Sequence, residues 1–442
     1  MTQESAIREA TAPGAPQDRS VRGLLAGLEV DARLLGMVAA LVLVWVAFDV
    51  MSGGLFLSPR NLWNLSVQSA AVAIMTCGMV LIIVSRNIDL SIGSILAVTA
   101  LVMGLLQTEW LPNTLGLGLE QPYTWLIVLV LGIALGAVIG GLHGFLIAFL
   151  GIPSFIVTLG GLLVWRGAAF ALVSGRTISP LDSNFQLLGG GPNGSLGETM
   201  SWLVAGLAIV AIVYGIFASR RRRRRYGFPM RPVWAEVTVG VVASAIVAGA
   251  VWVANSYPWP PNLAAEYAAE HGITPPPGGL LIPTGIAIPV LIAVAVAVGT
   301  TVLATRRKFG RYVYSIGGNP EAAELAGINT RLTIMKTFIG MGMLAALAAA
   351  VTSARLNAAT NGLGTGVELQ VIAAAVIGGT SFAGGIGTIA GGVLGAVVMQ
   401  SLSSGMVLVG VPTALQDIVV GVVLVSAVGF DTVLRRRRSG GR

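Results

Sequence analysis

The side chains that could carry out catalysis are few, and their spacing does not fit a catalytic site. The chain has 442 residues, of which only 10% are charged, and its two histidines, His143 and His271, lie far apart in sequence. We find no nucleophile beside a base and no pair of carboxylates spaced for acid–base chemistry. The lysines, Lys308 and Lys336, do not follow a Gly-x-x-x-x-Gly spacing, so the chain lacks the phosphate-binding loop of an ATPase. The sequence therefore predicts that the protein is not an enzyme and holds no cofactor or metal of its own.

A second set of polar side chains lies inside or at the ends of apolar stretches. Arg166 falls within one stretch, whereas Asn361, Glu368 and Gln370 cluster at the end of another. Because charged groups are costly in lipid, those that persist there often line a substrate path or pair with each other. These four residues are candidate pathway residues, although Arg166 could instead extend toward water. Asp89 sits at a predicted helix start, where we expect it to cap the helix.

The polar stretch Ser315–Asn329 carries the signals of a short helix with defined ends. Asn319 suits the N-cap, Pro320 suits the first helical position, and Glu321 complements the helix dipole. Gly327 suits the C-terminal stop. Residues at i, i+3 and i+4 spacing form an apolar face, made of Ala322, Leu325 and Ala326. A helix of about two turns is marginal in water, so it either covers loops of its own chain or docks on a partner.

The overall composition calls for a lipid environment. Hydrophobic residues make up 55% of the chain, whereas soluble domains carry about 25% charged residues. Apolar segments of spanning length predict an all-α polytopic membrane protein with about 10 to 12 transmembrane helices, of which segment 368–380 is short enough to be broken. We divide the chain into a disordered tail (1–33), a transmembrane domain (34–434) with an inserted helical pair (201–254), and a basic tail (435–442).

The distribution of basic residues predicts the orientation. Nearly all of the 27 lysines and arginines, which give a formal net charge of +8, fall on one side of the membrane if the N-terminus is inside. This bias predicts a multi-pass protein of the cell's inner membrane with both termini in the cytoplasm. Because the arginines alternate with apolar stretches, we expect membrane lipid as a partner and no nucleic acid. The run Arg220–Arg225 anchors the topology or binds anionic lipid.

A weak internal repeat relates two parts of the chain at a constant offset of 259 residues. The matching positions are Gly132, Gly136, Gly151 and Pro153 in the first copy and Gly391, Gly395, Gly410 and Pro412 in the second. In each copy a helix with spaced glycines ends at a Gly-Ile/Val-Pro-Ser/Thr sequence. Transporters are often built from such repeats, with the substrate path at their interface. We therefore add Gly136 and Gly395 to the candidate pathway residues.

Four stretches resemble a known family, the monosaccharide importer permeases of the ATP-binding-cassette class, of ribose, galactose and xylose type. They are Asn87–Ser94, Gly151–Gly160, Gly317–Asn329 and Ile377–Gly385. The sequence around Arg166 is most similar to xylose permeases. The resemblance implies a core of two permease copies, a cytoplasmic ATPase that binds the ATP, and an extracytoplasmic sugar-binding protein.

The resemblance also implies a role for the short helix. The stretch from Asn319 to Asn329 would be the coupling helix, which enters a groove of the ATPase. Glu321 and Glu324 would meet basic groups there, while Ala322 and Leu325 would fill the groove.

The sequence thus predicts the permease subunit of an ATP-driven importer that moves a monosaccharide, xylose or a related pentose, into the cytoplasm. The alternative is an ion-coupled secondary sugar transporter, which would need no partner chain. That alternative predicts functional acids deep in several spans, whereas most acids here lie near segment ends.

Overall fold

The computed structural model describes residues 32–119 and 121–439. The predicted tail 1–33 lies almost wholly outside these residues, and the predicted tail 435–442 lies partly outside them. The helices are α1 Ala32–Met51, α2 Pro59–Val84, α3 Ile92–Leu105, α4 Leu111–Leu115, α5 Thr124–Ala148, α6 Ser154–Val173, α7 Ser183–Gln186, α8 Gly197–Arg225, α9 Val233–Asn255, α10 Pro261–Glu270, α11 Ile288–Arg306, α12 Lys308–Gly318, α13 Pro320–Leu325, α14 Thr330–Leu356, α15 Val367–Ile377, α16 Ile389–Leu408 and α17 Thr413–Ser439. A π-helical turn, Leu106–Trp110, joins α3 to α4.

The prediction of an all-α polytopic membrane protein is confirmed. Within the described residues, 10 helices are long and apolar enough to cross a membrane, and two shorter apolar helices cover Val367–Ile377 and Thr413–Gly429. The short segment expected to be broken is α15, which has 11 residues. At 1.5 Å per residue it covers about half of a bilayer core roughly 30 Å thick, and the irregular segment 357–366 precedes it.

The two sides of the helix bundle differ in charge. Arg86, at the end of α2, hydrogen-bonds to the end of α12, which begins beside Arg306 and Arg307. We call this the basic side. The start of α2, where Arg60 lies, and the end of α14 are on the opposite side. Because α2 ends on the basic side and α14 begins there, these two long helices run in opposite directions.

The helices pack as two copies of a repeat, and the second copy runs in the opposite direction to the first. Helix α5 packs along α14, as α16 packs along α2, and α3 packs on α6, as α15 packs on α17. In both copies, therefore, a glycine-containing helix lies against the long first helix of the other copy. An inverted pair of this kind is a common plan of membrane transporters.

Glycines allow two helix contacts to be unusually close. A Cβ atom on Gly136 of α5 would collide with the carbonyl oxygen of Gly342 in α14. A Cβ atom on Gly395 of α16 would collide with the carbonyl oxygen of Ala374 in α15. Small residues let membrane helices approach closely, and here they leave no space between the backbones.

The described residues divide into two compact units. One contains residues 32–35 and Trp202–Trp252, and the other contains Gly36–Ser201 and residues 253–439. Within the first unit, Arg220 of α8 forms an ion pair with Glu236 of α9. The four arginines of the last turn of α8 suit the negative end of its dipole.

In the second unit, the short segment 284–286 hydrogen-bonds to the stretches of chain just before and just after residues 202–252. The Gly197 N–H donates to the Thr284 carbonyl at 3.1 Å, and the Gly285 N–H donates to the Ala254 carbonyl at 3.2 Å. Segment 284–286 is therefore bonded to both flanks.

Candidate functional site

A polar cavity lies between helices α2, α3, α14, α15 and α16 of the second unit. Its volume is about 130 Å³, which is room for several water molecules. Its polar lining consists of three glutamines, a hydroxyl and a guanidinium, namely Gln68, Gln370, Gln400, Thr352 and Arg355. The remainder is mostly aliphatic, from residues such as Val72 and Leu96. We call this space the glutamine cavity.

Two of the glutamines bond to each other across the two copies of the repeat. The Gln400 side-chain amide donates to Oε1 of Gln68 at 3.0 Å, which links α16 to α2. Both residues lie near the middle of their helices, and so at mid-depth of the apolar region. On the next residue, Ser401 Oγ accepts a hydrogen bond from the Trp45 indole at 2.9 Å.

Three of the candidate pathway residues meet beside this cavity. Arg166 of α6 donates from one nitrogen, Nη1, to the carbonyls of Asn361 and Leu363, both at 2.8 Å. It is also close enough to Glu368 for electrostatic attraction. The Oε2 atom of Glu368 is buried and has no hydrogen-bond partner among the described residues. Arg166 therefore holds the irregular segment before α15 in place, while Gln370 lines the cavity itself.

The candidate glycines play a different part. Gly136 and Gly395 lie at the backbone contacts described above and are not among the residues that line the glutamine cavity. Their close contacts fix the positions of α5 and α16.

Sequence reasoning missed Gln68, Gln400, Thr352 and Arg355. The available signal was a single amide in the middle of each of two long apolar helices, because such a group must find a polar partner in the bundle. The sequence did not show that the two amides are partners.

Asp89 is part of a buried chain and does not cap α3. Its Oδ1 accepts from the Ser91 N–H at 2.9 Å and from the Ser91 hydroxyl at 2.6 Å, just before α3 begins. The Ser91 hydroxyl lies 3.2 Å from Nδ1 of His143, whose Nε2 accepts from the Trp165 indole at 3.0 Å. The expectation of a helix cap was wrong because the carboxylate turns toward Ser91 and the long-range partner His143.

A second candidate site is the surface of the short helix α13 on the basic side. Oδ1 of Asn319 accepts from the Ala322 N–H at 3.0 Å, and Gly327 follows the helix with φ +79°. Both helix ends thus form as the sequence predicts. Asn329 begins the next helix, α14, by accepting from the Leu332 N–H at 2.9 Å.

The apolar face of α13 is free of contacts with its own bundle. Ala323 is the residue that packs inward, with 4% of its surface exposed, whereas Leu325 is 90% exposed. Ala322 and Ala326 are exposed as well, as are Glu321 and Glu324. The predicted face therefore points away from the protein.

Helix α12 connects α13 to the helices around the glutamine cavity. Arg86, after α2, donates to the carbonyls of Gly317 and Gly318 at 2.7 and 2.8 Å. The Tyr314 hydroxyl donates to the Gly387 carbonyl, just before α16, at 2.7 Å, and burial raises the pKa of this phenol. One helix is thus bonded to the end of α2 and to the segment that starts α16.

Two inverted helical copies in a membrane and a polar cavity between them define a membrane transport subunit. Consistent with this class, the family described as "Branched-chain amino acid transport system / permease component" matches residues 61–428. The chain belongs to this family of permeases.

Individual relatives narrow the family to sugar permeases. The chain is 35% identical to the xylose transport system permease protein XylH of Escherichia coli K12, over 94% of this chain and 96% of the relative. It is 33% identical to XylH of Haemophilus influenzae, over 92% and 98%. It is 30% identical to the ribose import permease protein RbsC of Escherichia coli K12, over 89% and 92%. No solved structure matches the chain.

These relatives confirm the resemblance seen in the sequence motifs. The protein is a multi-pass membrane permease of the sugar-transport type, and it is a transport subunit and not an enzyme.

Proposed function

We propose that this chain is the permease subunit of an ATP-driven importer that carries xylose or a related pentose into the cytoplasm. The relatives named for xylose and ribose support the substrate class. The basic side is then the cytoplasmic side, because positively charged residues favour it, and both termini lie there. The chain itself binds no ATP.

The observation that carries the proposal is the exposed face of α13. The exposed Ala322, Leu325 and Ala326 form one apolar face on a capped helix, with Leu325 90% exposed, and a contiguous exposed apolar face of this kind is suited to binding a partner. Glu321 and Glu324 flank this leucine and would face basic groups of a cytoplasmic ATPase. Charge complementarity of this kind favours one partner over others.

Movement of α13 would reach the glutamine cavity through α12. Helix α12 is bonded to the end of α2 by Arg86 and to the start of α16 by Tyr314. These are the two helices joined by the Gln68–Gln400 hydrogen bond. An ATPase that shifts α13 would therefore shift both walls of the cavity.

The remaining partners follow from the same assignment. A sugar-binding protein would deliver the sugar to the side opposite to α12. A second permease copy would complete the transport core. Membrane lipid would cover the exposed apolar helix faces, of which Leu43 and Val138 are examples.

An ion-coupled secondary transporter is the second candidate. Asp89 is buried in the bundle, and one carboxylate oxygen of Glu368 is buried as well. Buried acids in membrane bundles often relay protons. Asp89 is hydrogen-bonded to Ser91, however, and Glu368 lies within electrostatic reach of Arg166, so neither acid is isolated from other polar groups.

The test is the substitution Leu325→Asp, with Leu281→Asp as the matched control. Leu281 is 75% exposed and lies in the 256–287 segment near Arg60. We expect Leu325→Asp to weaken co-purification of the ATPase by about tenfold or more, as for a central interface residue, and Leu281→Asp to leave it unchanged.

Two results would contradict the proposal. One is equal ATPase binding by both variants and the parent. The other is xylose accumulation in proteoliposomes driven by a proton gradient without ATP, which would favour the secondary transporter.

A further inference from the structure

We infer that the glutamine cavity is a binding site for a neutral polyhydroxylated ligand, held by the amides of Gln68, Gln370 and Gln400. That the ligand reaches this cavity during transport rests on the proposed function. The binding residues themselves are assigned from the cavity lining alone. Amides that line a cavity at mid-depth of an apolar bundle are expensive to keep unless they bind something.

The hydrogen-bonding capacity of the lining matches hydroxyl groups. Each glutamine side chain offers two N–H donors and an acceptor oxygen, and each sugar hydroxyl is both a donor and an acceptor. Arg355 adds donors only. The aliphatic residues between the amides suit the C–H faces of a sugar ring.

The charges of the lining argue against an amino acid as the ligand. Arg355 could pair with an α-carboxylate. Among the described residues that line the cavity, however, none is acidic, so an α-ammonium group would lose its hydration without a counter-charge. The cavity therefore favours a sugar over the branched-chain amino acids for which the family is described.

In the ligand-free protein, the hydrogen bond between Gln68 and Gln400 gives both amides a polar partner. The Gln400 donor and the Gln68 acceptor satisfy each other at 3.0 Å, so neither is left unpaired when no ligand is bound. A ligand hydroxyl that inserts between them accepts from Gln400 and donates to Gln68. Binding would thus replace the bond between α2 and α16 with two bonds through the ligand.

The test measures binding without any partner subunit. In a Cys77→Ser background, the thiol introduced by Thr352→Cys lies in the cavity lining, and its alkylation by N-ethylmaleimide is followed in detergent. We expect D-xylose to slow this alkylation and L-valine to have no effect. Gln68→Met and Gln400→Met keep the side-chain length but remove the hydrogen bonds. Each should raise the xylose concentration needed for half-protection by about fivefold to tenfold.

Gln416→Met is the matched control, because this amide donates to the Val411 carbonyl away from the cavity, and its protection should equal that of the parent. Absence of protection in the parent, equal protection by L-valine, or unchanged protection in Gln68→Met and Gln400→Met would overturn the inference. Each of these results leaves the ATPase co-purification assay unaffected. Conversely, loss of ATPase coupling with intact protection would refute the proposed function and retain the site.

Discussion

The irregular segments before α3 and α15 occupy equivalent places in the two inverted copies but are held differently. Asp89 lies three residues before α3 begins, whereas Glu368 is the second residue of α15. Asp89 is bonded to Ser91, two residues further on. Glu368 instead lies within electrostatic reach of Arg166, which belongs to α6 of the other copy.

This difference indicates which of the two segments depends on the other copy for its hydrogen bonds. The first segment carries its own hydrogen bonds, supplemented by His143 of the same copy. The second segment is held from across the repeat, by the Arg166 guanidinium and by hydrogen bonds to Ile178, Ser179 and Leu181, and it borders the glutamine cavity through Gly364. The first segment is thus held mostly by residues of its own copy, such as Ser154 and Thr158, and the second by residues of the other copy.

The first turn of α3 touches the second segment at Gly93 and Gly364, and enlarging Gly93 should have the largest effect. A Cβ atom on Gly93 would collide with the Gly364 carbonyl and the Glu368 carboxylate. We expect Gly93→Leu to lower the free energy of unfolding by about 3 kcal/mol or more, seen as a lower Tm in detergent. Gly160→Leu is the control, since nothing lies within 4 Å of a Cβ there. Equal Tm values for the two variants would show that the segments do not constrain each other.

Removing the guanidinium should loosen the second segment near Asn361 and Leu363 and leave the first unchanged, because Ile178, Ser179 and Leu181 still hold residues 357–359. Arg166→Met deletes both hydrogen bonds to the carbonyls of Asn361 and Leu363, at a cost of about 2 kcal/mol. Hydrogen exchange should become faster in residues 361–366 and stay unchanged in 85–91. The double variant Arg166→Met with Glu368→Gln should recover part of the loss, because no buried charge is then left without its partner. Faster exchange in both segments would remove the distinction between them.

A substitution at Trp165, next to Arg166 in the chain, should have the smallest and most selective effect on stability. Trp165→Phe keeps an aromatic ring but removes the indole donor to His143, for an expected loss of about 1 kcal/mol. Because this bond serves the first copy, exchange in residues 357–366 should match that of the parent. A change in the second segment would mean that the two acids are coupled through α6.

Local signals were enough to predict α13 but not the cavity. Asn319 and Gly327 act within a few residues of themselves, so their types alone define the helix ends. Gln68 and Gln400 are 332 residues apart in the chain, and their pairing depends on how α2 and α16 pack. Asp89 shows the same limit, because its position at a helix start was visible whereas His143, contributed by α5, was not.

Segment 284–286 has a consequence for how permeases of this type can be altered. Because Thr284 and Gly285 tie residue 197 to residue 254, the two ends of the intervening stretch are already held close together. Loop-closure entropy rises only slowly with length, so material between such fixed ends can be shortened, lengthened or exchanged at little thermodynamic cost. The α8–α9 hairpin is accordingly a natural graft point, where a reporter domain or a binding module could be inserted while the transport bundle keeps its own architecture.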